Sequence, residues 1–204
     1  MVIGIDLDNT LICYDASFHA AAVARGLIPA TSRAQKAAVK AAVLANHDNA
    51  TWTTLQGEVY GPLLPRATAY PGAADFLRHC RASGHAVCIL SHKSRVAALQ
   101  PHIDLRSAAL GWIQSQGWLD APAGLHCDDI EFLDTRSAKI DAIARRACEL
   151  FIDDLPEVFA EPGFPAQTTA FLFDPDAVHP VMPGLRRFTR WSEISTAVCP
   201  PTLA

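Results

Sequence analysis

The residues able to do chemistry stand at the ends of short apolar runs. Asp6-Leu7-Asp8-Asn9-Thr10 follows Val2-Ile3-Gly4-Ile5 without a break. Two carboxylates two residues apart, where a buried strand stops, are costly unless a cation meets them. A hard divalent cation suits such oxygens. An EF-hand loop is excluded, because its sixth and twelfth positions, where Gly and Glu belong, hold Leu11 and Ser17. Phe151-Ile152-Asp153-Asp154 repeats the pattern of acids ending an apolar run. Ser91 ends another run and is followed by His92-Lys93-Ser94. Lys139 falls in the first turn of a helical pattern over 137–149, with Ser137 as the expected N-cap. Taken singly, a Ser after a strand is an N-cap and a Lys on a helix is solvated. Acid pair, hydroxyl, lysine and acid pair in this order, each at or beside a strand end of one sheet, make a site for Mg2+ and a phosphoryl group.

The elements that must position these residues are legible from periodicity. Residues 2–6, 86–91, 150–153 and 170–173 are short apolar runs with little alternation, the pattern of strands covered on both faces. Residues 130–133 read as a further short strand. Helical patterns lie between them at 73–83, 96–99, 108–116 and 137–149, the first entered through Pro71-Gly72 and closed by Gly84. Alternating strand and helix predicts a doubly wound α/β fold with a parallel sheet.

Residues 14–70 break the alternation. An Ala-rich helix over 16–25 ends at Gly26, and a second is expected over 33–45 with Ser32 and Gln35 as its capping box. Thr53 and Gln56 repeat that spacing before a third helix. About 57 residues without a strand pattern far exceed a βα loop of roughly 2–6 residues, so an inserted helical subdomain is expected. The division is then 1–13 with 71–204 as an α/β core and 14–70 as the insert. The Pro-rich tail from 175 on shows no chemistry beyond a last helix starting near Ser192-Glu193.

Composition narrows the function. The chain has 204 residues, 50% hydrophobic and 19% charged, with a net charge of -4. Its 17 basic residues are scattered, with Arg145-Arg146 and Arg186-Arg187 the only doublets, which argues against a nucleic-acid or membrane partner. Six cysteines without a C-x-x-C pair read as buried free thiols. With no signal-like h-region and no spanning stretch, a soluble cytoplasmic protein is expected.

Asp6-x-Asp8-x-Thr10, Ser91, Lys139 and Asp153-Asp154 together resemble the four motifs of the haloacid dehalogenase-like (HAD) superfamily of phosphotransferases. The resemblance runs over residues 2–175, and Pro71-Gly72-Ala73-Ala74-Asp75-Phe76-Leu77 resembles the segment by which these proteins return from a cap to the core. It implies a Rossmann-like three-layer core, with the helical insert acting as a cap. It implies that Asp6 attacks phosphorus and becomes a phosphoaspartate, and that Asp8 protonates the leaving oxygen and then activates water. Mg2+ is expected on Asp6, the Asp8 main-chain carbonyl and Asp153, with Asp154 reaching it through water. Ser91 and Lys139 are expected on the phosphoryl oxygens. His92, Lys93, Trp52, Tyr60 and Arg66 are candidates for substrate contact.

The expected function is hydrolysis of a phosphate monoester of a small metabolite. Dehalogenases and phosphonatases of the superfamily lack an acid two residues after the nucleophile, and Asp8 is present here. A phosphotransferase or mutase would share the phosphoaspartate. A non-enzymatic phospho-acceptor or binding protein is the alternative of another class; in receiver domains the acidic pair comes at the first strand and the phosphorylated Asp at the third, which is not the order here.

Overall fold

Apolar runs with no polar face must be covered on both sides, and in the computed structural model they form one parallel sheet flanked by helices. Residues 1–120 and 124–200 are described. In chain order the elements are β1 (Val2–Ile5), β2 (Ile12–Cys13), α1 (Asp15–Ala24), α2 (Lys36–Asn46), α3 (Asn49–Tyr60), β3 (Thr68–Ala69) and α4 (Ala73–Ala82). Then follow β4 (Ala86–His92), β5 (Val96–Ala97), β6 (Gln100–Asp104), α5 (Leu105–Ser115), β7 (Ile130–Leu133) and α6 (Arg136–Arg145). The last are β8 (Leu150–Asp153), α7 (Pro156–Phe159), β9 (Thr169–Phe173), β10 (Arg186–Phe188) and α8 (Trp191–Val198). The main sheet has the order β10-β9-β8-β1-β4-β7, all parallel. The strand order reverses between β1 and β8, and ligands of such sheets bind outside the strand ends at that point.

Strand alternation assigns the two faces. Gly4 stands in register with Cys88 and Phe151, and on that side Ile140, Ala142 and Ile143 of α6 pack on Cys88, Leu90 and Phe151. The opposite side carries Ile152 in register with Phe171, and two residues on Phe173 meets the ring of Trp191, which also meets Phe76 of α4. The chain thus has helices on both faces of the sheet, the three layers expected of it.

Two compact units emerge, and their boundaries differ from the expected ones. Met1–Leu11, Ala69–His92 and the residues from Gly117 on form the first, and Ile12–Thr68 with Lys93–Gln116 the second. Residues 93–116, expected in the core, therefore join the insert. Their expected helix over 96–99 is instead the start of an antiparallel hairpin, β5 with β6. Four apolar residues cannot separate helix from strand by period alone. Within the second unit α3 lies close against this hairpin. A Cβ on Gly57 would stand 2.9 Å from that of Ala97, and one on Gly61 2.3 Å from Ile103 Cγ2.

Helix starts differ from the expected ones, once through a partner distant in sequence and twice through another local cap. The helix expected from residue 33 begins at Lys36, whose N–H donates to Asp15 Oδ1 at 2.8 Å, so the Ser32/Gln35 signature is unused. Asp48, not Thr53, caps α3 by accepting from the Thr51 N–H at 2.8 Å. Thr135, not Ser137, caps α6 through the Ala138 N–H at 3.0 Å. Cys80, Cys88 and Cys148 are buried free thiols as expected, whereas Cys127 is exposed. Among the described residues no helix is long and apolar enough to cross a membrane.

Candidate active site

The site is built at the carboxyl ends of β1, β4 and β8. Asp6 extends β1 by donating its N–H to the Ile152 carbonyl at 2.9 Å. Asp6 and Asp153 are two residues past Gly4 and Phe151, so alternation turns both toward the α6 side. There Lys139 of α6 bridges them, its Nζ 2.6 Å from Asp6 Oδ1 and 2.5 Å from Asp153 Oδ2. All three side chains are buried. The second Asp153 oxygen accepts from the Leu155 N–H at 3.0 Å. Beneath the ammonium lies the Phe151 ring, its centroid 5.3 Å from Nζ.

Gly4 makes room for that ring. A Cβ there would stand 2.6 Å from Phe151 Cδ2 and 2.9 Å from Cys148 Sγ, closer than packed carbon allows. Gly4→Ala should push Phe151 toward Lys139 and cost about 1–3 kcal/mol, as overpacking of a full core does. Urea unfolding checks this, and a variant as stable as the parent would show that the ring has slack.

The acids outnumber the ammonium. Among the described residues Asp6, Asp153 and Asp154 form the one group of three potential metal ligands, with an oxygen from each within 4.8 Å of the others. Burial raises the Asp6 carboxyl most; Lys139 opposes this, but Asp153 and Asp8 add to it, and the result is a pKa pushed up to about 6. Burial alone would lower the Lys139 ammonium, yet Asp153 and Asp6 hold it well above its ordinary value. Both shifts follow from one ammonium shared between two buried carboxylates, Asp6 and Asp153. Hard carboxylate oxygens gathered this closely fit a divalent cation of the Mg2+ type.

Ser91, at the end of β4, is 1% exposed, and its Oγ has no hydrogen-bond partner among the described residues. A buried hydroxyl left unsatisfied in a folded chain points to a group that meets it in function. Asp8 and Ser91 line, with Asp6, Lys139 and Asp153, a cavity of about 100 Å3. That is room for about three waters, the size of a phosphoryl group and not of a whole metabolite. The turn after β1 is fixed by its own backbone: Asn9 adopts a left-handed φ of 61° and the Leu11 N–H donates to the Leu7 carbonyl at 3.0 Å. Thr10 Oγ1 donates to Asp154 Oδ1 at 3.3 Å.

The other sequence candidates separate. His92 lines the cavity, its Nε2 3.1 Å from the Asp134 carbonyl oxygen. Arg136, not among the sequence candidates, also lines it, one turn before Lys139 on the same helix. Its i, i+3 spacing from Lys139 was a signal available in the sequence. Lys93, Trp52, Tyr60 and Arg66 belong to the second unit. Trp52 is buried and stacks on Phe18 at 5.0 Å, a packing role in that unit's core. Tyr60 is half-buried, with the ammonium groups of Lys93 and Lys36 5.2 and 5.5 Å from its ring centroid. Arg66 is exposed at the end of a 3-10 turn.

The fold is a parallel α/β sheet with acids gathered at the carboxyl ends of its strands. No protein-family model and no curated protein sequence matches the chain. Solved structures do. A HAD family hydrolase from Deinococcus radiodurans R1, with bound phosphate and sodium, superposes with a TM-score of 0.61 at 18% identity, over 97% of this chain and 94% of that one. A structure described as a dehalogenase gives a TM-score of 0.58 at 15% identity, over 97% and 96% of the two chains. A HAD-superfamily hydrolase, subfamily IA, variant 1, from Geobacter sulfurreducens PCA gives 0.54 at 13%, over 97% and 95%. At these identities the likeness establishes the fold, and the chemistry has to be argued from this chain's own residues.

Proposed function

We propose that this chain is a Mg2+-dependent hydrolase of small-molecule phosphate monoesters that works through a phosphoaspartate on Asp6. The observation that carries the reading is the convergence on one small cavity of a lysine-bridged buried carboxylate, Asp6, and an unpartnered buried hydroxyl, Ser91. The hydrolase class and the phosphate bound by the Deinococcus radiodurans relative support it.

In this account Lys139 keeps Asp6 ionised and aimed, and donates with Ser91 to the equatorial phosphoryl oxygens as charge spreads over them. Asp6 Oδ attacks phosphorus, the ester P–O bond breaks, and the leaving oxygen takes a proton from Asp8. Asp8 then accepts a proton from the water that attacks phosphorus and frees Asp6. Asp8 lies outside the group of three acids that face one another. Asp6, the Asp8 carbonyl and Asp153 would hold the cation, with Asp154 through water. Its charge offsets the repulsion between an anionic nucleophile and an anionic phosphate. Presence of Asp8 favours an ester over a carbon–halogen bond as the target. Tyr60, Lys93 and Arg66 are the residues to vary when the choice among esters is tested.

Phosphate release should be screened over sugar phosphates, nucleotides and phosphorylated acids, beside halide release from 2-haloacids. Mg2+-dependent release from a small ester is expected, stopped by chelation. Halide release without phosphate release would contradict the assignment. The metal roles carry their own prediction. Asp153→Asn should raise the Mg2+ concentration for half-maximal activity more than Asp154→Asn, because a direct ligand contributes more than one acting through water. The reverse order in a Mg2+ titration would exchange the two roles.

A further inference from the structure

The tail that shows no chemistry in the sequence sends one polar group to the site. Trp191, the first residue of α8, is fully buried, and its indole N–H donates to the Thr10 carbonyl at 3.1 Å across 181 residues. Thr10, also fully buried, uses its hydroxyl to hold Asp154 Oδ1 at 3.3 Å. Asp154 belongs to the acid group with Asp6 and Asp153. The indole is itself held on several sides. Its ring centroid lies 5.0 Å from that of Phe76 and 5.4 Å from that of Phe173. At Gly72, with φ of +88°, the position a Cβ would take is 3.1 Å from Trp191 Cβ, so glycine lets α8 begin this close.

We infer that Trp191 is a positioning residue for the acid cluster: its indole N–H, acting through Thr10, sets the direction in which Asp154 presents its carboxylate. A buried tryptophan needs some acceptor for its N–H. Here the acceptor is the main chain of the very residue whose side chain grips Asp154. Removing the indole donor frees the Thr10 peptide to rotate, and the hydroxyl it carries then no longer dictates the carboxylate rotamer. The inference rests on the proposed function only in taking these acids as a cation site.

Trp191→Phe keeps a ring in the pocket and removes the donor. Isothermal titration of the full chain with Mg2+ alone, without substrate, reads the effect directly. Mg2+ binding should weaken by roughly threefold to tenfold, the equivalent of one net hydrogen bond. Thr10→Val should weaken it similarly. The double variant should be no weaker than the weaker single one, since both break one chain of contacts. Phe76→Leu trims packing on the same indole and should lower the unfolding temperature while leaving Mg2+ binding unchanged. Trp191→Phe binding Mg2+ like the parent would overturn the inference, as would additive losses in the double variant or an equal loss in Phe76→Leu. If the parent chain itself binds no Mg2+, the cation reading fails first, which is a distinct result.

Discussion

Asp6→Asn is expected to abolish turnover, with kcat falling on the order of 10^4-fold or more, the scale seen when a covalent nucleophile is removed. The amide has the carboxylate's shape, so it can still accept from Lys139, but it cannot form an acyl phosphate. The fold should survive. Asp6 is raised to about 6 because burial and the neighbouring acids outweigh Lys139. Its ionised form therefore works against the ion-free fold at neutral pH, and a neutral amide removes that cost. A Mg2+-free thermal melt at pH 7 should show Asp6→Asn at least as stable as the parent. Activity within tenfold of the parent would remove Asp6 from the chemistry. A collapsed melt would mean that its charge holds the fold together.

Lys139→Met has the largest expected effect on stability. The ammonium bridges two buried carboxylates, Asp6 and Asp153. Losing it leaves both uncompensated, which for a buried pair costs about 3–5 kcal/mol. Turnover should fall as well, since one of the two donors assigned to the phosphoryl oxygens is gone. Urea denaturation at pH 7 measures the loss. Adding Asp6→Asn to Lys139→Met should recover part of it, because one orphaned charge disappears. An unchanged midpoint in Lys139→Met would show that the acids find other partners, and the charge balance described here would be wrong.

The acids of the proposed catalytic set are legible because each stands where an apolar run ends. An apolar strand followed by acids is costly without a partner, and that cost marks Asp6, Asp8, Asp153 and Asp154 in the sequence itself. Lys139 could be placed only by joining a helix pattern to the sheet, and its bridge to Asp6 spans 133 residues. What stayed hidden depends on partners far along the chain. Lys36 begins α2 because Asp15 takes its N–H, so a sound local cap at Ser32 went unused. The hairpin of β5 and β6 is too short for its period to show, and it lies close against Gly57 of α3 and Gly61 just after it. β10 escaped notice because an edge strand carrying Arg186 and Arg187 has no apolar run; Arg186 instead lies over the Phe171 ring at 4.8 Å. The grip of Trp191 on Thr10 has no signature in either segment.

In the proposed function Asp6 carries the phosphoryl group between ester and water. Asp8→Asn should let an activated aryl phosphate load Asp6, because a good leaving group needs no acid, while slowing the attack of water. Rapid acid quench of that variant with a 32P-labelled aryl phosphate and Mg2+, followed by peptide mapping, tests this most directly. The account predicts base-labile label on the peptide containing Asp6, and none when Asp6→Asn is added. Turnover of the same ester with no label on the protein, or label on a peptide without Asp6, would contradict it.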